Sequence, residues 1–371
     1  MKKRNAFIFS LLALLLVVCV SSGLVMHGYR REQASRELIL AIKANETDRA
    51  LDALRANADP NVRDQGDEAP SLRRYLSTLW QQIYGIKPVT PTVGATALTL
   101  AVEHNNSVLA ETLLARGAKD IDQSAIEVDA YEPTASSSVP LLVIAVQHKN
   151  PSIVQALVRH GSDVNAVDEN HETALFYAED AATAKALLDC GAGINVVNEN
   201  GETPLTDSLA HISRRELMHD VGNYLRGKPL KPIDDLQTGV VLLLIREGAD
   251  VNFQSRQGNT PLLIATNGSH RYLDGDGQWP TVIKALLSRG AQVNVQDNSG
   301  MTPLMVAASN LHPTLVRILL QHGARVNIRT GHGETAISLA GHRDRFGDGS
   351  GRRKQSEVVR LLKWAGEMSS P

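Results

Sequence analysis

The phrase Gly-Ala-x-Val-Asn, or a close variant, recurs at Gly161–Asn165, Gly191–Asn195, Gly248–Asn252, Gly290–Asn294 and Gly323–Asn327, with a truncated copy at Gly117. From Gly117 onward the glycines are spaced by 44, 30, 57, 42 and 33 residues, which reads as a 33-residue unit shortened once and lengthened three times. A second mark lies 21 residues before three of them, at Thr96, Pro140 and Thr302. Related marks are Thr173-Ala-Leu, Thr203-Pro-Leu, Thr260-Pro-Leu and Thr335-Ala-Ile. Units of this length are too thin to bury their own apolar faces, so they must stack. Composition agrees, because only 4% of residues are aromatic while 43% are hydrophobic. The core must therefore be many thin layers of Leu, Ala, Val and Ile.

Within one unit the residues spell a helical hairpin. In Thr302-Pro-Leu-Met-Val-Ala-Ala308 the threonine can cap a helix by accepting from its unpaired N–H groups, and proline suits the first helical position. The next helix, Pro313 to His322, carries Leu315, Val316, Leu319 and Leu320 as one apolar stripe. Gly323 then stops it, since glycine tolerates the left-handed backbone a helix end needs. Polar runs such as Gln296–Gly300 follow as turns.

This pattern of Thr-Pro-Leu, an Ala-rich helix and Leu-Leu-x-x-Gly-Ala at a 33-residue period resembles the ankyrin-repeat family. The resemblance implies an all-α fold, an ankyrin-repeat solenoid of stacked helical hairpins with β-turn tips, over about residues 34–368. Its units fall at about 34–61, 93–122, 138–167, 171–197, 201–254, 258–296, 300–329 and 333–368, eight in all, with polar capping units at both ends. The family usually places a histidine just after Thr-Pro-Leu to hydrogen-bond between turns. Here those positions hold Thr99, Val143, Phe176, Thr206, Leu263, Met305 and Ser338. This departure bears on the regularity of the turn geometry rather than on the fold.

Insertions interrupt the array at about 62–92, 119–138, 212–236, 269–279 and 343–355. Leu72, Tyr75, Leu76, Leu79, Trp80 and Ile83 predict a helix in the first, and Leu217, Val221, Tyr224 and Leu225 one in the third. Both stripes are expected to pack on the array rather than to dock a partner. Asp274–Gln278 faintly matches a calcium loop but lacks its glutamate, and reads as an exposed turn. Gly347–Lys354 reads as a solvated loop, without the lysine-serine/threonine ending of a phosphate cradle.

The start of the chain is of a different kind. After Lys2, Lys3 and Arg4 come 21 uncharged residues, Ala6 to Met26, and Arg30 and Arg31 follow. As a helix this stretch is about 31 Å long, enough for one bilayer core. Residues 1–31 are expected to be a transmembrane anchor or, with cleavage near Val20–Gly23, a signal peptide. The anchor is favoured because Leu24, Val25 and Met26 prolong the apolar run. A short basic leader ordinarily stays inside, which places the repeats on the exported side, periplasmic, lumenal or extracellular. Secretion after cleavage is the alternative.

Net charge is −2, and the body after residue 31 is acidic, so no nucleic-acid partner is expected. Two cysteines, Cys19 and Cys190, exclude a disulfide framework or a Cys-rich zinc site. No HExxH, GxSxG, phosphate-loop or CxxC pattern occurs, so no catalytic residue, metal or cofactor is assigned. His104, His148 and His211 share one register, with His342 one position away, yet stacked helices lie about 8–10 Å apart, too far for one zinc ion. In the family this register faces the concave groove. The resemblance therefore offers Glu103, His104, Gln147, His148, Asp180, His211, Asn267, Ser309, Asn310 and His342 to a protein partner. The turn tips add Asp168, Glu169, His171, Asn198, Glu199, Arg256, Gln257, Asp297, Asn298 and Arg329. The expected function is a membrane-tethered or exported protein-binding scaffold, the membrane contact being residues 6–26. An effector acting on a host-cell pathway and an enzyme with a site in the insertions are the alternatives.

Overall fold

In the computed structural model the described residues are 25–64, 95–119, 140–213, 236–268, 279–341 and 349–368. They fall into two units, Met1–Asp163 and Val164–Pro371. Among the described residues the regular elements are helices, and β pairing is confined to two isolated bridges, Arg63 with Thr96 and Val167 with Thr173. None of these helices is long and apolar enough to cross a membrane. Most of the apolar run from Ala6 lies outside the described residues, as do the stripes at 72–83 and 217–225, the turn at 274–278 and His342.

The first unit pairs α1 (residues 25–43) with α2 (Thr47–Arg55), α3 (Ala97–Glu103) with α4 (Ser107–Ala115), and α5 (Leu141–Gln147) with α6 (Pro151–Arg159). First helices stack on first helices and second on second, α3 on α5 and α4 on both α2 and α6. The apolar stripe dictates this. Leu98, Ala101 and Val102 of α3 and Leu109, Leu113 and Leu114 of α4 are buried, and no hairpin could cover them alone. Helix α1 is already formed at residue 25, so it runs unbroken across the boundary that the sequence suggests at residue 31.

The second unit opens with a 3₁₀ turn, Ala174–Tyr177, followed by α7 (Ala181–Asp189). Then come α8 (residues 204–213) and α9 (Leu236–Arg246), α10 (Pro261–Gly268) and α11 (Trp279–Ser288), α12 (Pro303–Ser309) and α13 (Pro313–Gln321), and α14 (Ala336–Gly341) and α15 (Gly349–Met368). The same stacking holds: α10, α12 and α14 form one layer and α7, α9, α11, α13 and α15 the other. Leu, Ala, Val and Ile dominate the buried set, with Phe176 and Trp279 its aromatic members.

Two local rules of the sequence are visible here. Thr302 Oγ1 accepts from Met305 N at 3.3 Å and Thr96 Oγ1 from Thr99 N at 3.1 Å, the N-caps expected of the Thr mark. Gly323, at φ +85°, ends α13, and a side chain there would meet nothing within 4 Å, so only its backbone conformation matters.

Two sequence readings are corrected. The Gly347–Lys354 run is not a loop throughout, because α15 begins at Gly349. Burial of Val358, Leu362 and Ala365 against the array fixes this helix, and the good helix formers before them extend it back into the glycines. Trp279 is not insertion but the buried first residue of α11.

The recurring asparagine has a structural task. Asn294 Nδ2 donates to Gly323 O at 3.1 Å, and its Oδ1 accepts from Arg325 N at 2.8 Å. Asn252 does the same to Gly290 and Gln292, Asn165 to Gly191 and Gly193, and Asn61 to Gly117 and Lys119. Each asparagine thus clamps the helix end of the next hairpin. It pairs the carbonyl of the glycine that ends the helix and the N–H two residues further on, both in the turn beyond the helix's own hydrogen bonds.

Candidate functional site

Two rows of polar side chains emerge from this packing. The first lies at the C-terminal ends of first helices. In α3 the residues after the buried Ala101–Val102 pair turn away from the core, leaving Glu103 and His104 exposed, and Gln147 and His148 follow the same rule in α5. Since α3 and α5 stack, these two pairs stand at the same end of neighbouring helices. In the second unit Asn267 is exposed and Ser309 and Asn310 are half-buried, on helices that also stack. His211 is exposed, with Nε2 3.6 Å from Asp207 Oδ1.

Asp180 departs from the expectation. It is the N-cap of α7, its Oδ1 accepting from Ala182 N and Thr183 N, both at 3.0 Å. The shortened unit moves it out of the groove register and into a capping position.

The second row is formed by the turn tips, which share one construction. Asp297 N donates to Met301 O at 3.0 Å and Gly300 N to Asp297 O at 2.9 Å. Asp297 Oδ1 then accepts from Ser299 N and Met301 N at 2.9 and 2.8 Å. Asp168, Asn198, Ser255 and Thr330 occupy the equivalent place and accept from their own turns in the same way. This side-chain lock keeps the turns regular without the family histidine. Where a hydroxyl replaces that histidine, it works locally. Thr206 Oγ1 accepts from Thr203 N at 2.7 Å, and Ser338 Oγ from Thr335 N at 2.8 Å.

The tip residues expected to meet a partner therefore divide. Asp168, Asn198 and Asp297 are committed to their own turns, and Asn198 is buried. Glu169, His171, Glu199, Arg256, Gln257, Asn298 and Arg329 are exposed. Neighbouring tips also bond to each other. Glu199 N donates to Asn170 O at 3.0 Å, and Asn298 N to Gln257 O at 3.2 Å. His171 Nδ1 lies 3.2 Å from Glu199 Oε1. Gly300 is a position where glycine is required twice over. Its φ is +79°, and a Cβ would lie 2.9 Å from the backbone N of Gly331 in the next tip.

Tyr177 joins the 3₁₀ turn to a tip by donating its hydroxyl to Asp168 Oδ2. Burial, together with the hydrogen bond to Asp168, holds this phenol's pKa well above the ordinary range. Among the described residues no three His, Cys, Asp or Glu side chains come together as a metal site would require.

Stacked helical hairpins joined by side-chain-locked turns define a class of repeat protein that presents extended rows of exposed side chains. The chain belongs to the ankyrin-repeat family, whose three-copy model matches residues 142–221, 235–330 and 275–363, together more than half of it. Among solved structures it is similar to the ankyrin repeat domain of Bcl-3, a member of the IkappaB family. That likeness has 24% identity, covers 73% of this chain and 99% of that one, and has a TM-score of 0.52. The human ASB11 ankyrin repeat domain is 19% identical over 75% of this chain and 99% of its own, with a TM-score of 0.49. An ankyrin repeat domain from Acinetobacter baumannii is 22% identical over 61% and 97%, with a TM-score of 0.45. No curated protein matches. Ankyrin repeats point to a protein-interaction scaffold.

Proposed function

We propose that this chain is a membrane-tethered or exported ankyrin scaffold of eight units that binds a protein partner without catalysing a reaction. The observation that carries the reading is the division of labour at the tips. One residue of each turn accepts from its own backbone, while Glu169, Glu199, Arg256, Gln257, Asn298 and Arg329 stand exposed on a frame already ordered, Asn298 and Arg329 also donating to Arg256 O at 3.1 Å and Gly333 O at 2.8 Å. Little ordering entropy is then lost on association. The helix pairs, taken in order, support the count of eight, and the uncharged run from Ala6 to Met26 supports the tether.

The test is capture of cross-linked partners by the full chain in membranes of its own host, compared with the variant Arg256→Glu, Gln257→Ala, Asn298→Ala, Arg329→Glu. Loss of a specific partner with unchanged thermal unfolding supports the reading. Identical capture by both chains refutes it. Extraction at alkaline pH and protease accessibility in the same membranes test the tether and the exported orientation separately.

A further inference from the structure

Helix α15 presents an outer face on which cations and large apolar side chains are exposed together. Over its 20 residues, about 30 Å in length, Val358, Leu362 and Ala365 share the side that packs on α13 and α14. At about 100° per residue the opposite arc holds Arg352, Arg353, Ser356, Arg360, Lys363, Trp364, Glu367 and Met368, all exposed. Two of these are large apolar side chains left in water, Trp364 at 57% and Met368 at 73% exposure, and they are neighbours one helical turn apart. Arg352, Arg353, Arg360 and Lys363 form no ion pair among the described residues, and Glu367 is the one free acid opposing these four cations on the arc. Glu357, on the same strip of the helix as Trp364 and Met368, is paired with Arg317 of α13 at 3.0 Å.

We infer that this face is a docking element for an anionic phospholipid surface. Cations alone would keep an exposed helix face soluble. The tryptophan and methionine do not serve that end. An indole beside cations matches the bilayer interface, where its ring enters the headgroup layer, its N–H finds an oxygen and Arg and Lys meet phosphates. The charge is locally concentrated, because the chain beyond residue 31 is net acidic. A cation at an anionic membrane surface is worth about fivefold in partitioning, so three net cations give roughly a hundredfold preference over a zwitterionic surface. The inference stands on this helix alone. A tether through residues 6–26 would only raise the local concentration of the surface.

The experiment uses the full chain with vesicles of phosphatidylcholine, alone or mixed with phosphatidylglycerol, carrying brominated acyl chains that quench tryptophan. The part of the quenching due to Trp364 is the difference between the wild type and Trp364→Phe, which leaves Trp80 and Trp279 in place. The expected result is Trp364 quenching at least fivefold greater on the anionic vesicles, abolished by raised salt and by Arg352→Gln, Arg353→Gln, Arg360→Gln, Lys363→Gln with unchanged thermal unfolding. Equal quenching on both vesicles overturns the inference. So does an unquenched Trp364 on anionic vesicles, including the case where an acidic polypeptide shifts its emission instead. Flotation of the chain with pure phosphatidylcholine vesicles reports residues 6–26 independently, so failure of the tether and failure of this face are distinguishable.

Discussion

The repeat at 300–329 and the repeat at 171–197 start from similar marks and fold differently. In the first, Thr302 caps a seven-residue helix, Pro303–Ser309, and a nine-residue helix, Pro313–Gln321, follows. In the second, Thr173 is followed by only four residues of 3₁₀ turn before the chain extends and Asp180 caps Ala181–Asp189, again nine residues. The three missing residues have been taken wholly from the first helix. The second helix is kept because Ala184 and Leu187 fill the layer that its neighbour in the stack cannot fill for it. The cost is polar. Thr173 Oγ1, Asp180 Oδ2 and Thr183 Oγ1 are buried without a hydrogen-bond partner. The shortened unit thus keeps its apolar layer and carries these three buried oxygens beside it.

If the second helices are equivalent, Leu319→Ala and Leu187→Ala, both at 0% exposure, should each cost about 3 kcal/mol in chemical denaturation. A much smaller loss at Leu187 would break the comparison. Next in size is the tip. Gly300→Ala should cost about 2–3 kcal/mol, from left-handed strain plus the clash with the Gly331 backbone. Gly323→Ala, which faces strain alone, should cost about 1 kcal/mol. In the short repeat a histidine sits at the place of Gly300, with φ +57°, so His171→Gly should stabilise by about 1 kcal/mol in the same assay.

The threonines should respond with opposite signs. Thr302→Val removes a cap and should lose about 1 kcal/mol. Thr173→Val removes an unpaired buried hydroxyl and should gain about 1 kcal/mol. Thermal unfolding of the two variants decides whether the two caps differ as the structure says. The smallest effect is spectroscopic. Because the fold favours the neutral Tyr177 phenol, its stabilisation is present below the ordinary phenol pKa and is lost as pH rises through the raised one. In an ultraviolet titration Tyr177→Phe should remove one late-ionising phenol from the folded protein and leave the others unchanged.

Much of this architecture is legible in the residues. The spacing of Gly-Ala-x-Val-Asn, the Thr302 cap, the aliphatic stripe of Pro313–Gln321 and the stop at Gly323 all carry through, because each is a short-range rule. What the sequence hides is partnership across distance. Asn252 recurs visibly, but its bonds to Gly290 and Gln292 span about one repeat, and nothing in the pattern names the recipient. Asp168, Asn198 and Asp297 have the same chemistry whether they hold a turn or greet a partner, so only the geometry separates them from Glu169 or Arg256. Asp180 was displaced by a deletion whose position within the unit the spacing does not give. The glycine-rich start of α15 reads as loop because the force that makes it helical, burial of Val358, Leu362 and Ala365, acts on residues further along.

The asparagine clamps also determine how such an array would yield to force. Each one links its own hairpin to the next and to no other, so tension applied at one end is handed along through successive pairs of bonds. Stretched from its C-terminus, the chain should surrender in discrete lengths of about one hairpin, with Asn294 releasing Gly323 before Asn252 releases Gly290.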